Sequence, residues 1–419
     1  MSFDLDSWQE IWTTITRNKF RSFLTGIGVL WGIFMLLGLL AIANGFRGGV
    51  YTLVDGFEKN ACFFSSSPTN EPYMGYKKGR FWTLSNKDVE RVKETALSVE
   101  DVAPGLIDVP SNKNVIKDNN SGSFSIRGIY PSQFVVEKQN VLFGRIFNDI
   151  DIEYEKKVCI IGKEVYEALF AVNEDPVGQY IEVKGFNFKV IGVISPVSQI
   201  AIGGDVQLTV FIPFTTMQRL FNKGDIVHYF ACTAKEGYNA NMLEQEVKGI
   251  LQKAHFISPT DEKAIKCFNA EAEFMSFHNL FEGVDVLIWV VGLGSLFSGI
   301  IGVSNIMLVT VRERTREIGI RRALGASPSE IVRQIMSESF VLTTVFGLVG
   351  VILSIWTFKI IRMEMAKYSF EDVLFLPPYI TFDVVIAALG VLCLAGLIAG
   401  LIPSLRAMSI KAIDAIREE

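Results

Sequence analysis

Apolar residues gather along this chain in four long blocks, at residues 22–46, 284–311, 338–360 and 383–405, with charged residues only towards their ends. About 20 apolar residues in a helix cross a hydrocarbon core of about 30 Å, so each block predicts a membrane-spanning helix. Between the first two blocks the pattern changes. Residues 47–283 mix amphipathic helical stretches with short β-like runs, as a water-soluble α/β domain does. In "SNKDVERVKETA", Ser85 and Asp88 have capping-box spacing, and Val89, Val92 and Ala96 share one face. "NMLEQEVKGILQKA" repeats the period with Leu243, Val247, Ile250 and Leu251. The runs "KVCIIG" from Lys157, "LTVFIPF" from Leu208 and "VHYFACTA" from Val227 read as strands, and "QYIEVKGFNFKVIGVIS" as a hairpin about Gly185. "NKNVIKDNNSGSFSIRG" from Asn112 reads as an exposed hairpin or loop tip. The fold class is therefore a membrane α-helical protein of four transmembrane helices, with a large α/β extracytoplasmic domain inserted between the first and second.

Ahead of the first block, Trp8, Ile11, Trp12 and Ile15 fall on one helical face, with Ser7 and Glu10 placed to cap it. Residues 1–21 thus predict an amphipathic helix lying in the inner membrane interface. The second and third blocks are joined by "VRERTREIGIRRALGASPSE", dense in charge and only one short helix long. Glu317 and Arg321 form a favourably oriented i, i+4 pair, and Glu313 reaches towards Arg316. Gly325 is placed to end that helix in the left-handed conformation, and Ser327, Pro328 and Glu330 to supply N-cap, N1 and N3 of the next. Residues 312–337 so predict a stiff, capped helical turn fixed to two spans, which would transmit a push where a soft loop would absorb it. The competing interpretation is that its arginines only set topology and bind lipid headgroups.

The 419 residues are 49% hydrophobic with a formal net charge of −5, which argues against a nucleic-acid binder built on a basic surface. Lys and Arg crowd the N-terminal tail, residues 312–337 and the tail at 406–419. By the positive-inside rule both termini and the 312–337 turn are cytoplasmic, and residues 47–283 and the loop at 361–382 lie outside. No cleavable signal peptide precedes the first span, which is too long for a signal h-region. Cys62, Cys159, Cys232 and Cys267 fall in the exported segment and Cys393 in the fourth span, at spacings matching no metal or redox motif; either one bridge or buried free thiols fits them. His228, His255 and His278 lack metal-ligand spacing and no G-x-S-x-G elbow occurs, so the domain binds or transmits rather than catalyses.

Within the spans, Gly28 with Gly32, Ser295 with Gly299, Ser298 with Gly302, and Gly396 with Gly400 recur at the small-xxx-small spacing that lets helix backbones approach. Asp285 and Glu338 sit at span edges, and the lack of a midplane charge counts against an ion-coupled carrier. Four spans are few for a conduit, which predicts a second copy or a paralogue as partner.

"NIMLVTVRERTREIGIRRALGAS" from Asn305 closely resembles the signature of the MacB/FtsX-like permease family. The first-span "NKFRSFLTGIGVLWGI", the exported "VCIIGKEVYEALF", "DPVGQYIEV" and "FKVIGVI", and the C-terminal "GLIAGLIPSLRAMSIKAIDAIREE" are similar to it in the same order, although the tail lacks the family's usual proline. The resemblance implies an ABC transporter permease subunit of the bacterial inner membrane. Its ATPase-coupling residues are Arg312, Glu313, Arg314, Arg316, Glu317, Ile318, Gly319, Arg321, Arg322, Gly325 and Ala326. No G-x-x-x-x-G-K-[ST] phosphate loop occurs here, so a separate ABC ATPase subunit would bind ATP and Mg, and no cofactor sits on this chain. The implied mechanism is mechanotransmission: closure of the ATPases moves the coupling helices, the spans, and then the outer domain. Efflux, with a periplasmic adaptor and outer-membrane channel as further partners, leads. Lipoprotein release from the inner membrane and non-transporting regulation of a cell-wall hydrolase remain alternatives.

Overall fold

A computed structural model describes residues 19–54, 56–198, 202–367 and 375–409. The predicted interfacial helix at residues 1–21 and the C-terminal tail beyond residue 409 lie almost wholly outside them. The chain divides into two compact units, residues 50–279 and the rest.

The first helix, α1 (Lys19–Val54), leads into the sheet unit. In chain order its strands are β1 (Ala61–Ser66), β2 (Leu84–Ser85), β3 (Val99–Asp108), β4 (Val115–Lys117), β5 (Asn120–Gly122), β6 (Ser125–Ile129), β7 (Gln139–Gly144), β8 (Val158–Gly162), β9 (Tyr180–Val183), β10 (Phe186–Pro196), β11 (Thr209–Pro213), β12 (Ile226–Val227), β13 (Tyr229–Ala234) and β14 (Ile265–Asn269). Interspersed are α2 (Asn86–Thr95), α3 (Gln133–Val136), α4 (Asp149–Glu153), α5 (Lys163–Leu169), α6 (Phe214–Leu220) and α7 (Ala240–His255). Twelve strands form one mixed sheet in the order β14-β1-β13-β3-β6-β11-β8-β10-β9-β4-β5, with β7 against β10. β6 with β11 and β8 with β10 run parallel, each pair linked by a crossover containing helix, as parallel neighbours require.

The predicted local signals find their physical counterparts. Ser85 and Asp88 make the capping box of α2, and α7 buries Leu243, Val247 and Leu251. β9 and β10 form the hairpin, with Lys184 and Gly185 both at positive φ (51° and 83°) in the turn. That pair of left-handed residues matches the right-handed twist of the strands. Burial is nearly complete through β8, β11 and β13, the mark of strands covered on both faces.

The remaining helices are α8 (Ala270–Glu313), which belongs to the other unit from Leu280 on, and α9 (Thr315–Ala323), α10 (Pro328–Met365) and α11 (Phe382–Met408), which lie in that unit. α1, α8, α10 and α11 are long and apolar enough to cross a membrane. At 1.5 Å per residue the 44-residue α8 is about 66 Å long, more than twice a hydrocarbon core. It therefore runs unbroken from the sheet unit through the second span. Small residues set how these helices pack. A Cβ at Gly32 would stand 2.9 Å from Leu296 Cα, and one at Gly299 would stand 2.8 Å from the Gly28 carbonyl, so α1 and α8 cross backbone to backbone. Gly396 and Gly400 likewise seat α11 on Thr343, Phe340 and Met336 of α10. Ser298 and Gly302 take no part in packing within the chain: Ser298 is exposed and a Cβ at Gly302 would meet nothing within 4 Å. Sequence reading alone misses Gly350, whose added Cβ would lie 2.8 Å from the Leu30 carbonyl oxygen and which brings α10 onto α1. All five cysteines are free thiols, and Cys62, Cys159 and Cys232 are buried.

Candidate functional site in the turn between the second and third spans

α8 ends at Glu313, and Arg314 (φ −102°, ψ 12°) breaks it from α9. α9 then closes in a Schellman motif. Gly325 takes φ +101°, the Ala326 amide donates to the Arg321 carbonyl (3.0 Å), and the Gly325 amide donates to the Arg322 carbonyl (3.1 Å). A Cβ at the Gly325 position would be strained, which is why glycine stands there. Two residues after Gly325, Ser327 caps α10. Its amide donates to Glu330 Oε2 (2.9 Å) while the Glu330 amide donates to Ser327 Oγ (3.4 Å), and Pro328 occupies N1. Two helices are thus joined with almost no slack, by adjoining caps.

The inner face of α9 is tied down at several points. Ile318 and Gly319 are buried, and Ile318 belongs to the apolar cluster holding Val311, Ile331 and Ile335. Arg321 donates to Gln334 (3.0 Å) on α10 and to Glu317 (3.1 Å), the i, i+4 pair. Arg322 donates to the Met408 carbonyl (3.0 Å) at the end of α11, and Arg314 reaches Glu338 on α10 at 3.3 Å. Several of these arginines are therefore structural ties, a role their sequence neighbourhood does not announce. Outward stand Arg312 and Glu313 at the end of α8, Arg316, Glu317, Ile320 and Ala323 on α9, and its C-cap Leu324, all exposed, Leu324 to 84%. A short apolar edge framed by charge is what a docking surface requires. The cavity behind α9, about 30 Å³, would admit a water or two and no larger ligand.

Among its described residues, the sheet unit offers no rival centre. Ser85, Asp88 and His255 do cluster, with His255 Nε2 3.0 Å from Asp88 Oδ1 and Ser85 Oγ donating to Asp88 Oδ2 (2.7 Å). Burial opposes ionisation of Asp88, but the neighbouring His255 and the Ser85 hydrogen bonds prevail and hold its carboxyl below the usual range. With the carboxylate in the middle, no imidazole stands ready to take the serine proton, so the arrangement is a helix cap and not a nucleophile relay. Among the described residues, no group of His, Cys, Asp and Glu could hold a metal ion.

Two family profiles cover most of the chain: MacB-like periplasmic core domain over residues 22–250 and FtsX-like permease C-terminal over residues 289–412. Over 426 residues it is 27% identical to the pyoverdine export ATP-binding/permease protein PvdT of Pseudomonas syringae pv. syringae, matching 99% of this chain and 59% of that protein. It is 26% identical over 408 residues to the macrolide export ATP-binding/permease protein MacB of Bdellovibrio bacteriovorus, matching 97% of this chain and 60% of that one. The chain thus spans about three fifths of the length of these relatives. The crystal structure of the periplasmic region of MacB from Actinobacillus actinomycetemcomitans aligns with 54% of this chain and 96% of its own, at 19% identity and a TM-score of 0.43. The profiles match both the sheet-bearing insertion and the helices with their charged turn, and the chain is a multi-pass membrane protein of the MacB/FtsX-like ABC transporter permease family.

Proposed function

We propose that the chain is the permease subunit of an inner-membrane export system, in which ATP hydrolysis by a nucleotide-binding partner moves the domain of residues 50–279. On this reading the ATPase binds ATP and Mg, both termini and α9 are cytoplasmic, and the chain itself carries no reaction. The observation that carries it is the turn: α9 is bonded on its inner face to α10 and α11, while Arg316, Ile320 and Leu324 stand outward. A body so fixed moves its helices when pushed. The names of the relatives, pyoverdine export and macrolide export ATP-binding/permease proteins, favour export over lipoprotein release or hydrolase control.

The test is recruitment. A tagged full chain extracted from native membranes should bring down an ATPase, and Arg316→Glu with Leu324→Glu should reduce its yield about tenfold or more, the loss of a desolvated interface contact. Undiminished copurification would remove α9 as the docking element.

A second copy is the partner that fits the outward side of α8. Leu287, Val291, Gly294, Ser298, Ile301 and Asn305 are all exposed and alternate at spacings of four and three, the seam of a left-handed helix pair. Facing lipid, the Asn305 amide would go unpaired, whereas across a two-fold it meets its own copy. Ser298→Cys in a Cys393→Ser background should form disulfide-linked dimers in membranes, and Val349→Cys, on the exposed side of α10, should not. Equal cross-linking at both positions would refute the seam.

A further inference from the structure

Resting on the reading of α9 as the ATPase-coupled element, we propose that Glu338 is the positioning residue that passes its motion to α8, by holding Arg314 at the break between the two helices. Arg314 is the single residue separating α8 from α9. Its guanidinium lies 3.3 Å from Glu338 Oε1, and the side chains are only 24% and 6% exposed. An ion pair kept this far from water carries a desolvation penalty, and surface arginines would serve topology without it.

The cavity shows what the pair is for. It lies beside Arg314 and Glu338, within the apolar cluster that the end of α8 (Met307, Val311), α9 (Ile318) and α10 (Ile331, Ile335) share. A void loosens that packing, because atoms across it have lost contact. The Arg321–Gln334 bond spans from α9 to α10 and fixes those two together. Arg314–Glu338 ties the hinge residue itself to α10, and so sets the angle at which α8 leaves the elbow. Without it, α9 and α10 can rock while α8, which runs unbroken back to Ala270, stays put.

The experiment separates docking from transmission. The full chain with its copurified ATPase is placed in nanodiscs carrying one accessible reporter, Met275→Cys in a Cys267→Ser, Cys393→Ser background, an exposed position on the part of α8 within the sheet unit. Maleimide labelling is timed with ATP and vanadate and without nucleotide. In the otherwise native chain, ATP should change the rate about fivefold or more, the scale of an allosteric coupling. Glu338→Gln should retain ATPase binding and hydrolysis but lose the ATP-dependent change, and Arg314→Glu with Glu338→Arg should restore it. An undiminished change in Glu338→Gln would overturn the proposal. So would loss of the ATPase in Glu338→Gln, or a swapped pair that folds and binds the ATPase without regaining the response. If the parent chain itself ignores ATP, the coupling reading fails, and this assignment falls with it; failure in the variants alone leaves that reading standing.

Discussion

A Gly299→Leu chain should lose the packing of its first and second spans, at a cost of about 3 kcal/mol or more, the upper range for forcing atoms into a filled site. The geometry leaves no other outcome. Even one carbon on Gly299 would lie 2.8 Å from Gly28 C and O and from Val29 N, all main-chain atoms that no rotamer change can move aside. From the other helix, a Cβ on Gly28 would come within 3.2 Å of Gly299 Cα. A leucine must push the axes apart, and that separates Val29, Ile33 and Leu37 from Leu296, Ile300 and Val303, the shared cluster of the unit. Lipid tails are as apolar as these side chains, so burial offers no compensation and only close contact holds the pair. Thermal unfolding of the purified protein in detergent should show the loss as a lowered midpoint and as polydispersity. Gly302→Leu, one residue type and three positions away but facing open space, should melt with the parent. Matching midpoints for both substitutions would mean that the crossing is not held by backbone contact.

The contrast between those glycines marks how far a sequence can be read. Small-xxx-small spacing nominates Ser298 and Gly302 as readily as Ser295 and Gly299, because spacing says which residues share a face and nothing about what that face meets. The capped turn was legible for the opposite reason. Its signals, Gly325 followed by Ser327, Pro328 and Glu330, act within a few residues, so tertiary packing had little to add. The hairpin at Gly185 is of the same kind. Strand β3 is not: Pro104 and Gly105 stand in its middle and argue against a strand. Yet Pro104 pairs with Phe230, and a side chain at Gly105 would run into the Tyr229 ring. The first 14 residues of α8 were hidden as well, since Glu271, Glu273 and Glu282 break any apolar window. In the site, α9 carries charge on more than one side. Which arginines face inward is decided by Gln334, Glu338 and the Met408 carbonyl, 13 to 86 residues away in the chain.

Long-range pairing of that sort also sets the largest effect expected in the sheet unit. Arg127 lies in β6 with its side chain wholly buried. One nitrogen donates to Glu137 Oε2 (3.1 Å) and to Tyr229 Oη (2.8 Å), and the guanidinium lies 5.3 Å and 5.7 Å from the ring centres of Phe211 and Tyr229. Burial works against its charge, but Tyr229 and Glu137 outweigh that and push its pKa up, so the side chain is a cation in the core. Glu137, 4% exposed, is its counter-charge and also accepts from Gln133 Nε2 (3.4 Å). Glu137→Gln keeps the shape and removes the charge, and should destabilise the unit by about 3–5 kcal/mol, the cost of an unpaired buried ion. For a unit of this size that is a fall in midpoint of about 6–20 °C. Pulse proteolysis of the full chain in nanodiscs across a urea series would measure it. Arg127→Met combined with Glu137→Gln discards both charges, so it should recover most of the loss despite being the more heavily altered protein. If the double variant were as unstable as the single one, packing around the guanidinium, and not its charge, would be what the unit depends on.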